Sequence, residues 1–227
     1  MEPSALIVAR SVKKSYGKLD VLKGIDLAVQ SSEIVCITGE SGAGKSTLLH
    51  ILGTLDTPDA GDVFIKNERI NGMDRRRLSQ FRNQNLGFVF QFHQLLPEFS
   101  ALENACIPAW IAGMSKKQAA DKAMPLFELL GIADRMHHNP SELSGGEQQR
   151  VSVVRALINN PAVVFADEPS GNLDSKNARA LHDYFLKLRE ELGQTFVIVT
   201  HNPELAGMAD RHLHMKDGLF LYSGESV

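Results

Sequence analysis

An α/β fold with a parallel core sheet is predicted by three observations. First, the apolar run Ile34-Val35-Cys36-Ile37 precedes a glycine-rich stretch, and Leu48, Leu49, Ile51 and Leu52 behind that stretch fit one side of a helix. Second, a later apolar run, Val163-Val164-Phe165-Ala166, ends on Asp167-Glu168. Open parallel sheets bind their ligands outside such carboxyl strand ends. Third, from Phe92 to Asn160 the chain carries helix signals and almost no strand signals, as an inserted helical piece would.

The opening residues read differently from the core. Leu6, Val8 and Val12 suggest a first strand, and Ile25, Leu27 and Val29 alternate as a second. Ser15-Tyr16-Gly17 lies between them. Tyr16 reads equally as a half-buried strand residue or as an exposed ring able to stack on a base. The stretch Gly39-Glu40-Ser41-Gly42-Ala43-Gly44-Lys45-Ser46-Thr47 then joins a strand to a helix, the context of a phosphate-binding P-loop. Its glycines let successive N–H groups face one concavity that holds phosphate oxygens. A helix starting near Lys45 adds the positive end of its dipole there. In such a loop Lys45 reaches the β- and γ-phosphates, Ser46 ligates Mg²⁺ and Thr47 contacts the α-phosphate. The core is therefore read as a P-loop NTPase (RecA-like) core.

Residues Asp56 to Gly61 read as a loop, and Val63-Phe64-Ile65 as a strand leading to a turn at Asn67-Glu68. This amino-terminal strand set is expected to form an antiparallel β subdomain beside the parallel core. Arg75, Arg76, Arg77 and Arg82 gather on one helix near Leu78 and Phe81. They read as a solvated face in preference to a patch for acidic lipid or an acidic partner, because the stretch is short and the chain acidic.

Leu86 to Phe90 is a further buried strand, ending at Gln91. Two capping boxes follow, Ser100 with Glu103 and Ser115 with Gln118, and Gly131 stops the second helix after Leu130. The run Leu143-Ser144-Gly145-Gly146-Glu147-Gln148-Gln149-Arg150 leads into another helix, which Pro161 ends. Core and antiparallel β are thus placed at about residues 1–91 and 161–227, and the helical subdomain at about 92–160. Beyond Asp167-Glu168, Ser170 to Asp174 is a loop, and Leu181, Tyr184, Phe185 and Leu188 mark one helix face. Thr195 to Thr200 is read as the last core strand, delivering His201 to its end, and a hairpin around Asp217-Gly218 closes the chain.

Composition sets the outer bounds. A formal net charge of −3 gives no electrostatic reason to expect nucleic acid as a partner. Two cysteines, Cys36 and Cys106, suggest neither a disulfide framework nor a metal cluster, which fits a reducing compartment. Glu2 and Pro3 do not open a secretory leader, and no apolar segment is long enough to span a bilayer. The expectation is a soluble, cytoplasmic chain whose membrane-spanning part, if it needs one, is another polypeptide. Of the remaining histidines, His137-His138 reads as polar surface in preference to a metal pair.

Glycine loop, Gln91, the Leu143 to Arg150 run, Asp167-Glu168, Asn172 to Asp174 and His201 occur in an order that resembles the nucleotide-binding subunits of ATP-binding-cassette (ABC) transporters. The resemblance covers essentially the whole chain. It implies ATP and Mg²⁺ as the bound species and a second copy of the chain as partner. Asp167 would hold Mg²⁺ through water, Glu168 would be the general base, and His201 a further contact to the γ-phosphate or the attacking water. Gln91 would touch Mg²⁺ or water at the seam with the helical subdomain, and Tyr16 would stack on adenine. Ser144, Gly145 and Gly146, read as preceding a helix, would form a second anion site facing the ATP of the opposite subunit. Asp174 would lie at that junction.

Within the family, Phe90 to Asn104 and Glu168 to Asp174 resemble the lipoprotein-releasing branch, whose relatives include MacB-type exporters and FtsE-type regulators of cell-wall hydrolysis. Ser170 stands where threonine is usual there, and Glu40 where a small residue or proline is common. This resemblance implies a peripheral position on the cytoplasmic face of the inner membrane, with lipoprotein as indirect cargo. Separate permease subunits would dock near residues 91–99. In that stretch Leu95 and Leu96 are expected to pack inward, and Phe92 and Phe99 to line a groove.

Overall fold

The computed structural model describes residues 5–221; Glu2 and Pro3, on which the reading of the amino terminus rests, lie outside the described residues. The chain opens with β1 (Ile7–Tyr16), β2 (Leu19–Val29), β3 (Ile34–Gly39) and α1 (Lys45–Leu52). There follow β4 (Ala60–Ile65), β5 (Glu68–Arg69), α2 (Arg75–Asn85), β6 (Leu86–Phe90), α3 (Ala101–Ile111), α4 (Lys116–Leu129) and α5 (Gly145–Leu157). The last part holds β7 (Val163–Asp167), α6 (Ser175–Leu192), β8 (Thr195–Val199), α7 (Pro203–Gly207), β9 (Arg211–Lys216) and β10 (Leu219–Leu221).

Two sheets carry the fold. A four-stranded antiparallel sheet has the order β2-β1-β4-β5, and a six-stranded sheet the order β10-β9-β3-β8-β7-β6. Strands β9, β3, β8, β7 and β6 run parallel, so their carboxyl ends share one edge. Register fixes what meets there, since Phe90 and Val199 both pair with Asp167. Gly39, Gln91, Asp167-Glu168 and His201 are thereby delivered to one rim. Gly39 is needed at its place because a Cβ there would lie 2.0 Å from the Met215 carbonyl oxygen of β9.

That contact corrects the reading of the carboxyl end. The strand after Thr195 is not the last of the core, because β9 joins the parallel sheet beside β3 and the closing hairpin hangs from it. A polar, histidine-rich strand, Arg-His-Leu-His-Met-Lys, hides this in the sequence, since it occupies the sheet's less buried side. The turn after Ile65 also falls one residue earlier than expected, on Lys66 and Asn67, both with positive φ. Ala60 and Gly61 already belong to β4.

The helices follow their local signals. Both expected capping boxes form, and Gly131 takes the left-handed conformation that stops α4. Arg75, Arg76 and Arg77 are exposed, but Arg82 is not part of their face. Its guanidinium donates to the hydroxyl and carbonyl of Thr54, pinning α2 to the segment after α1. Both cysteines are buried, and burial pushes the Cys36 thiol up to about 12 and the Cys106 thiol up to about 11. Neither is therefore a reactive thiolate. No helix among the described residues is long and apolar enough to cross a membrane.

Candidate functional site

A cleft of ≈ 560 Å³ lies over the shared strand edge. The glycine loop forms its floor, Tyr16, Leu19 and Val21 one wall, and Glu168 and His201 the other. The loop is shaped by its own residues: Lys45 Nζ donates to the carbonyls of Gly39 and Glu40, each at 2.9 Å. Gly44 (φ 98°) is the N-cap of α1 and has no side chain with which to cap it. The first-turn N–H groups of α1 thus remain available to an anion, with the helix dipole behind them.

Tyr16 ends β1 with its ring half exposed, 52 % of the residue's surface being accessible. Its hydroxyl donates to Asp56 Oδ2 at 2.6 Å, and that carboxylate bond raises the phenol above its ordinary pKa. Lys14 Nζ sits 5.2 Å from the ring centroid and bonds the same Asp56. The ring therefore lines the cleft wall half exposed and tethered by its hydroxyl, neither buried in the sheet nor free.

Asp167 closes β7. Ser46 Oγ donates to Asp167 Oδ1 at 3.1 Å, and burial pushes this carboxyl above the ordinary aspartate value. A hydroxyl and a carboxylate side by side, next to a phosphate cradle, are a hard oxygen donor set. They fit Mg²⁺, which takes one or two protein oxygens and completes its shell with substrate phosphates and water. His50 Nε2 stands 3.9 Å from the other Asp167 oxygen.

Glu168 points elsewhere. Its backbone has φ 46°, a left-handed value uncommon for a residue with a side chain. The His201 Nδ1 lies 2.8 Å from Glu168 Oε1, while Thr200 Oγ1 and the His201 N–H each donate to Oε2 at 3.3 Å. Gln91 bonds reciprocally with Asn172: its Nε2 donates to Asn172 Oδ1 at 2.9 Å, and Asn172 Nδ2 donates to the Gln91 carbonyl at 3.2 Å.

Ser144, Gly145, Gly146 and Asp174 do not line this cleft. Ser144 is the N-cap of α5, and Gly145 and Gly146 form its first turn instead of preceding it. The Ser144 hydroxyl donates to Glu147 Oε2 at 2.8 Å and accepts from the Glu147 N–H. A guanidinium bond from Arg135, together with Ser144, holds the Glu147 carboxyl at about 2. Gly146 lies against Asn177, whose Oδ1 would be 2.4 Å from an added Cβ. Asn177 in turn donates from N and Nδ2 to Asp174, the N-cap of α6. Ser144 to Gly146 and Asp174 are thus joined through Asn177 on a second surface.

Several residues of this edge escaped the sequence reading. Leu19 and Val21 line the cleft because β2 runs past it, and Asp56 anchors Tyr16. Fully buried Gln149 donates to the carbonyls of Pro169 and Phe90, at 2.7 and 3.3 Å. Buried His182 meets Ser170. None has a local signal, although a glutamine directed inward on an otherwise apolar helix face was available as a hint. Elsewhere His137 is exposed as expected, but His138 is half-buried. His212 and His214 share the Thr38 hydroxyl.

Residues 22–171 match the family described as ABC transporter. The chain is 59 % identical over 213 residues to the lipoprotein-releasing system ATP-binding protein LolD of Bacteroides thetaiotaomicron, covering 94 % of this chain and 98 % of that one. It is 57 % identical over 214 residues to the LolD of Porphyromonas gingivalis, with the same coverage of both chains. Among solved structures it is similar to a dimeric ATP-binding cassette in a post-hydrolysis state bound to ADP and Pi, with TM-score 0.86 and 38 % identity. That match covers 94 % of this chain and 96 % of the other. With a glycine loop, a paired carboxylate and histidine across the cleft, and these relatives along nearly its whole length, the chain belongs to the ABC transporter family and is an ATP-binding ATPase subunit.

Proposed function

We propose that this chain is the ATPase motor of a lipoprotein-releasing complex. Two copies, head to tail, would work beneath permease subunits of the LolC/LolE type on the cytoplasmic face of the inner membrane. The observation that carries this reading is the 59 % identity to a LolD along 94 % of the chain. The dimeric state of a similar cassette supports the pairing.

Each part of the cleft has a task in the proposal. Tyr16 stacks on adenine, and residues 39 to 47 wrap the phosphates, with Lys45 exchanging its loop carbonyls for the β- and γ-oxygens. Ser46, Asp167 and Gln91 would hold Mg²⁺, which would supply positive charge to offset that of the phosphates. Glu168 takes a proton from the attacking water as the new O–P bond forms and the bond to ADP breaks. His201, 2.8 Å from that carboxylate, orients it and contacts the γ-phosphate. Ser144, Gly145 and Gly146 serve the ATP of the other copy, and Asp174 stands where the two copies meet. For that service Ser144 must share its hydroxyl with Glu147.

The chain divides into a nucleotide-holding core, about residues 1–91 and 161–227, and a helical subdomain, about 92–160, that reports its state. Gln91 is the seam between them. Beyond it Phe92 is 70 % exposed and Ile111 of α3 is 71 % exposed, beside a groove of ≈ 380 Å³ lined by Phe90, Gln94, Pro108 and Arg155. Leu96 is exposed too, against the expectation that it packs inward, while its backbone N–H and carbonyl are both bonded by the buried Asn104 side chain. Phe99 instead turns its ring edge to Trp110. A short cytoplasmic helix of the permease would seat on Phe92, Leu96 and Ile111. His93 is half-buried with Nε2 enclosed, so the exposed Phe92 and Glu98 are the better probes.

The test is a reconstituted complex with its permease, measuring lipoprotein released per ATP consumed. Phe92→Asp with Glu98→Lys should leave the ATPase of the isolated chain within about twofold and cut the release yield severalfold. Normal yield per ATP in that variant would sink the docking assignment. A complex that releases no lipoprotein but moves a small molecule or peptide, or controls a cell-wall hydrolase, would replace the lipoprotein reading with a MacB-type or FtsE-type one.

A further inference from the structure

We infer that His182 is a positioning residue for ATP hydrolysis, holding from inside α6, through Ser170, the turn that carries Glu168 and Asn172. The inference rests on the reading of Glu168 as general base. His182 is fully buried on the face of α6 that also carries Ala178, Leu181 and Phe185. Packing alone asks for an apolar side chain at such a place. An imidazole there must be desolvated, and its Nδ1 has no hydrogen-bond partner among the described residues. Among the described residues the one polar contact its ring makes is to Ser170 Oγ, 3.2 Å from Nε2, and Ser170 is itself buried. An orphaned buried N–H is rarer than an orphaned lone pair. The proton therefore belongs on Nε2, which donates to the serine oxygen.

Ser170 is the middle of the turn. The Gly171 N–H donates to the Glu168 carbonyl and the Leu173 N–H to the Ser170 carbonyl, so moving Ser170 moves both neighbours. On one side lies Glu168, held at φ 46° immediately before Pro169. A residue preceding proline is restricted toward extended conformations, and a left-handed one persists only where its surroundings over-determine it. On the other side, Gly171 packs against the Gln91 amide and Asn172 bonds it. Without the tie from His182, Glu168 can relax toward extended φ and swing its carboxylate off His201. The phosphate loop is untouched by that movement.

Steady-state ATP hydrolysis by the full chain decides the matter. His182→Phe keeps bulk and removes the donor, Ser170→Ala removes the acceptor, and Ser170→Thr keeps the hydroxyl. The two disrupting variants should each lower kcat about 10- to 100-fold, the effect of misplacing a reacting group by up to an ångström. KM for ATP should stay within about twofold. The double variant should be no slower than the worse single one, and Ser170→Thr should hold kcat near the parent. A helix that merely needs packing would instead give a changed melting temperature with kcat intact below it, and that result overturns the inference. Losses that multiply in the double variant overturn it too. Should His182→Phe fail to fold, Ser170→Ala, a far smaller lesion, decides by the same criteria. Glu168→Gln measured in parallel separates the two claims. If it still hydrolyses ATP, the base assignment has failed; if it is inactive while His182→Phe and Ser170→Ala keep full kcat, only the positioning role has.

Discussion

In the glycine loop most of the bonds that hold its shape run among residues 39–45: Lys45 returns to the carbonyls of Gly39 and Glu40, and the Ala43 N–H donates to the Glu40 carbonyl, with one tie from outside, the Gly218 N–H to the Ala43 carbonyl. The turn from Asp167 to Asp174 lies on the same strand edge but is held from elsewhere. Ser46 of α1 reaches Asp167, Gln149 of α5 reaches Pro169, Gln91 after β6 reaches Asn172, His182 of α6 reaches Ser170, and His201 after β8 reaches Glu168. A binding element can be written locally, because a phosphate asks only for backbone N–H groups and one cation. In the proposed mechanism that turn is the hydrolytic element, and each tie connects it to a different part of the fold.

The largest effects should separate these two elements by kind. Lys45→Ala removes the cation of the local element and is expected to abolish productive ATP binding, leaving the chain unpaired in gel filtration with ATP and Mg²⁺. Glu168→Gln keeps the loop and should bind nucleotide normally while losing hydrolysis by about 10²–10⁴-fold, the worth of a positioned base. With ATP bound and not consumed, this variant should elute as a dimer. Equal nucleotide affinity in the two variants would erase the distinction, and normal turnover by Glu168→Gln would remove the carboxylate from the base role.

The same contrast explains what the sequence could tell. Residues 39 to 47 were legible because strand, glycines, lysine and helix follow one another, and β7 because an unbroken apolar run ending in two carboxylates admits few readings. Capping boxes announced α3 and α4, since their partners lie three residues apart. β9 was missed as a core strand because its alternate polar residues are exposed on one side of the sheet, and its pairing partner β3 is far away in sequence. Gly145 and Gly146 looked like a loop before a helix because glycine is a poor helix former. They are helical because the Ser144–Glu147 capping box starts the helix at Gly145, and position 146 is glycine because a Cβ there would lie against Asn177. Gln149, His182 and Ser170 were illegible as a group: each is defined by a partner on another element, and only the fold supplies the partner.

Stability should show the difference at intermediate size. Gln149→Leu fits the helix but strips the buried carbonyls of Pro169 and Phe90 of their donor. An unsatisfied buried polar group costs about 1–3 kcal/mol. The melting temperature should fall by about 2–4 °C for each kcal/mol in a chain of this size, and kcat should fall with it. Ser41→Ala, in the exposed part of the glycine loop, should stay within about 0.5 kcal/mol of the parent. Urea unfolding of both variants measures this directly, and a Gln149→Leu as stable as Ser41→Ala would mean that the turn is not held from α5.

The smallest effect belongs to Tyr16, where one side chain takes part in both kinds of construction. Its hydroxyl makes a remote tie to Asp56, and its ring forms the wall beside the glycine loop. Tyr16→Phe removes only the tie. The bond is exposed to solvent and Asp56 keeps Lys14, so the loss should be no more than about 1 kcal/mol of stability. KM for ATP should change less than about twofold, because every base has a face and a phenyl ring still offers one. Tyr16→Ala removes the ring as well, and stacking on an aromatic is worth about 1–3 kcal/mol per base. It should therefore raise KM for ATP about five- to a hundredfold while leaving kcat at saturation close to the parent. If Tyr16→Phe already raises KM as far as Tyr16→Ala does, the ring serves by being held at Asp56, and the cleft wall is then as dependent on remote ties as the hydrolytic turn. If neither variant shifts KM, adenine rests on some other surface, with Leu19 and Val21 the side chains of this wall left to carry it.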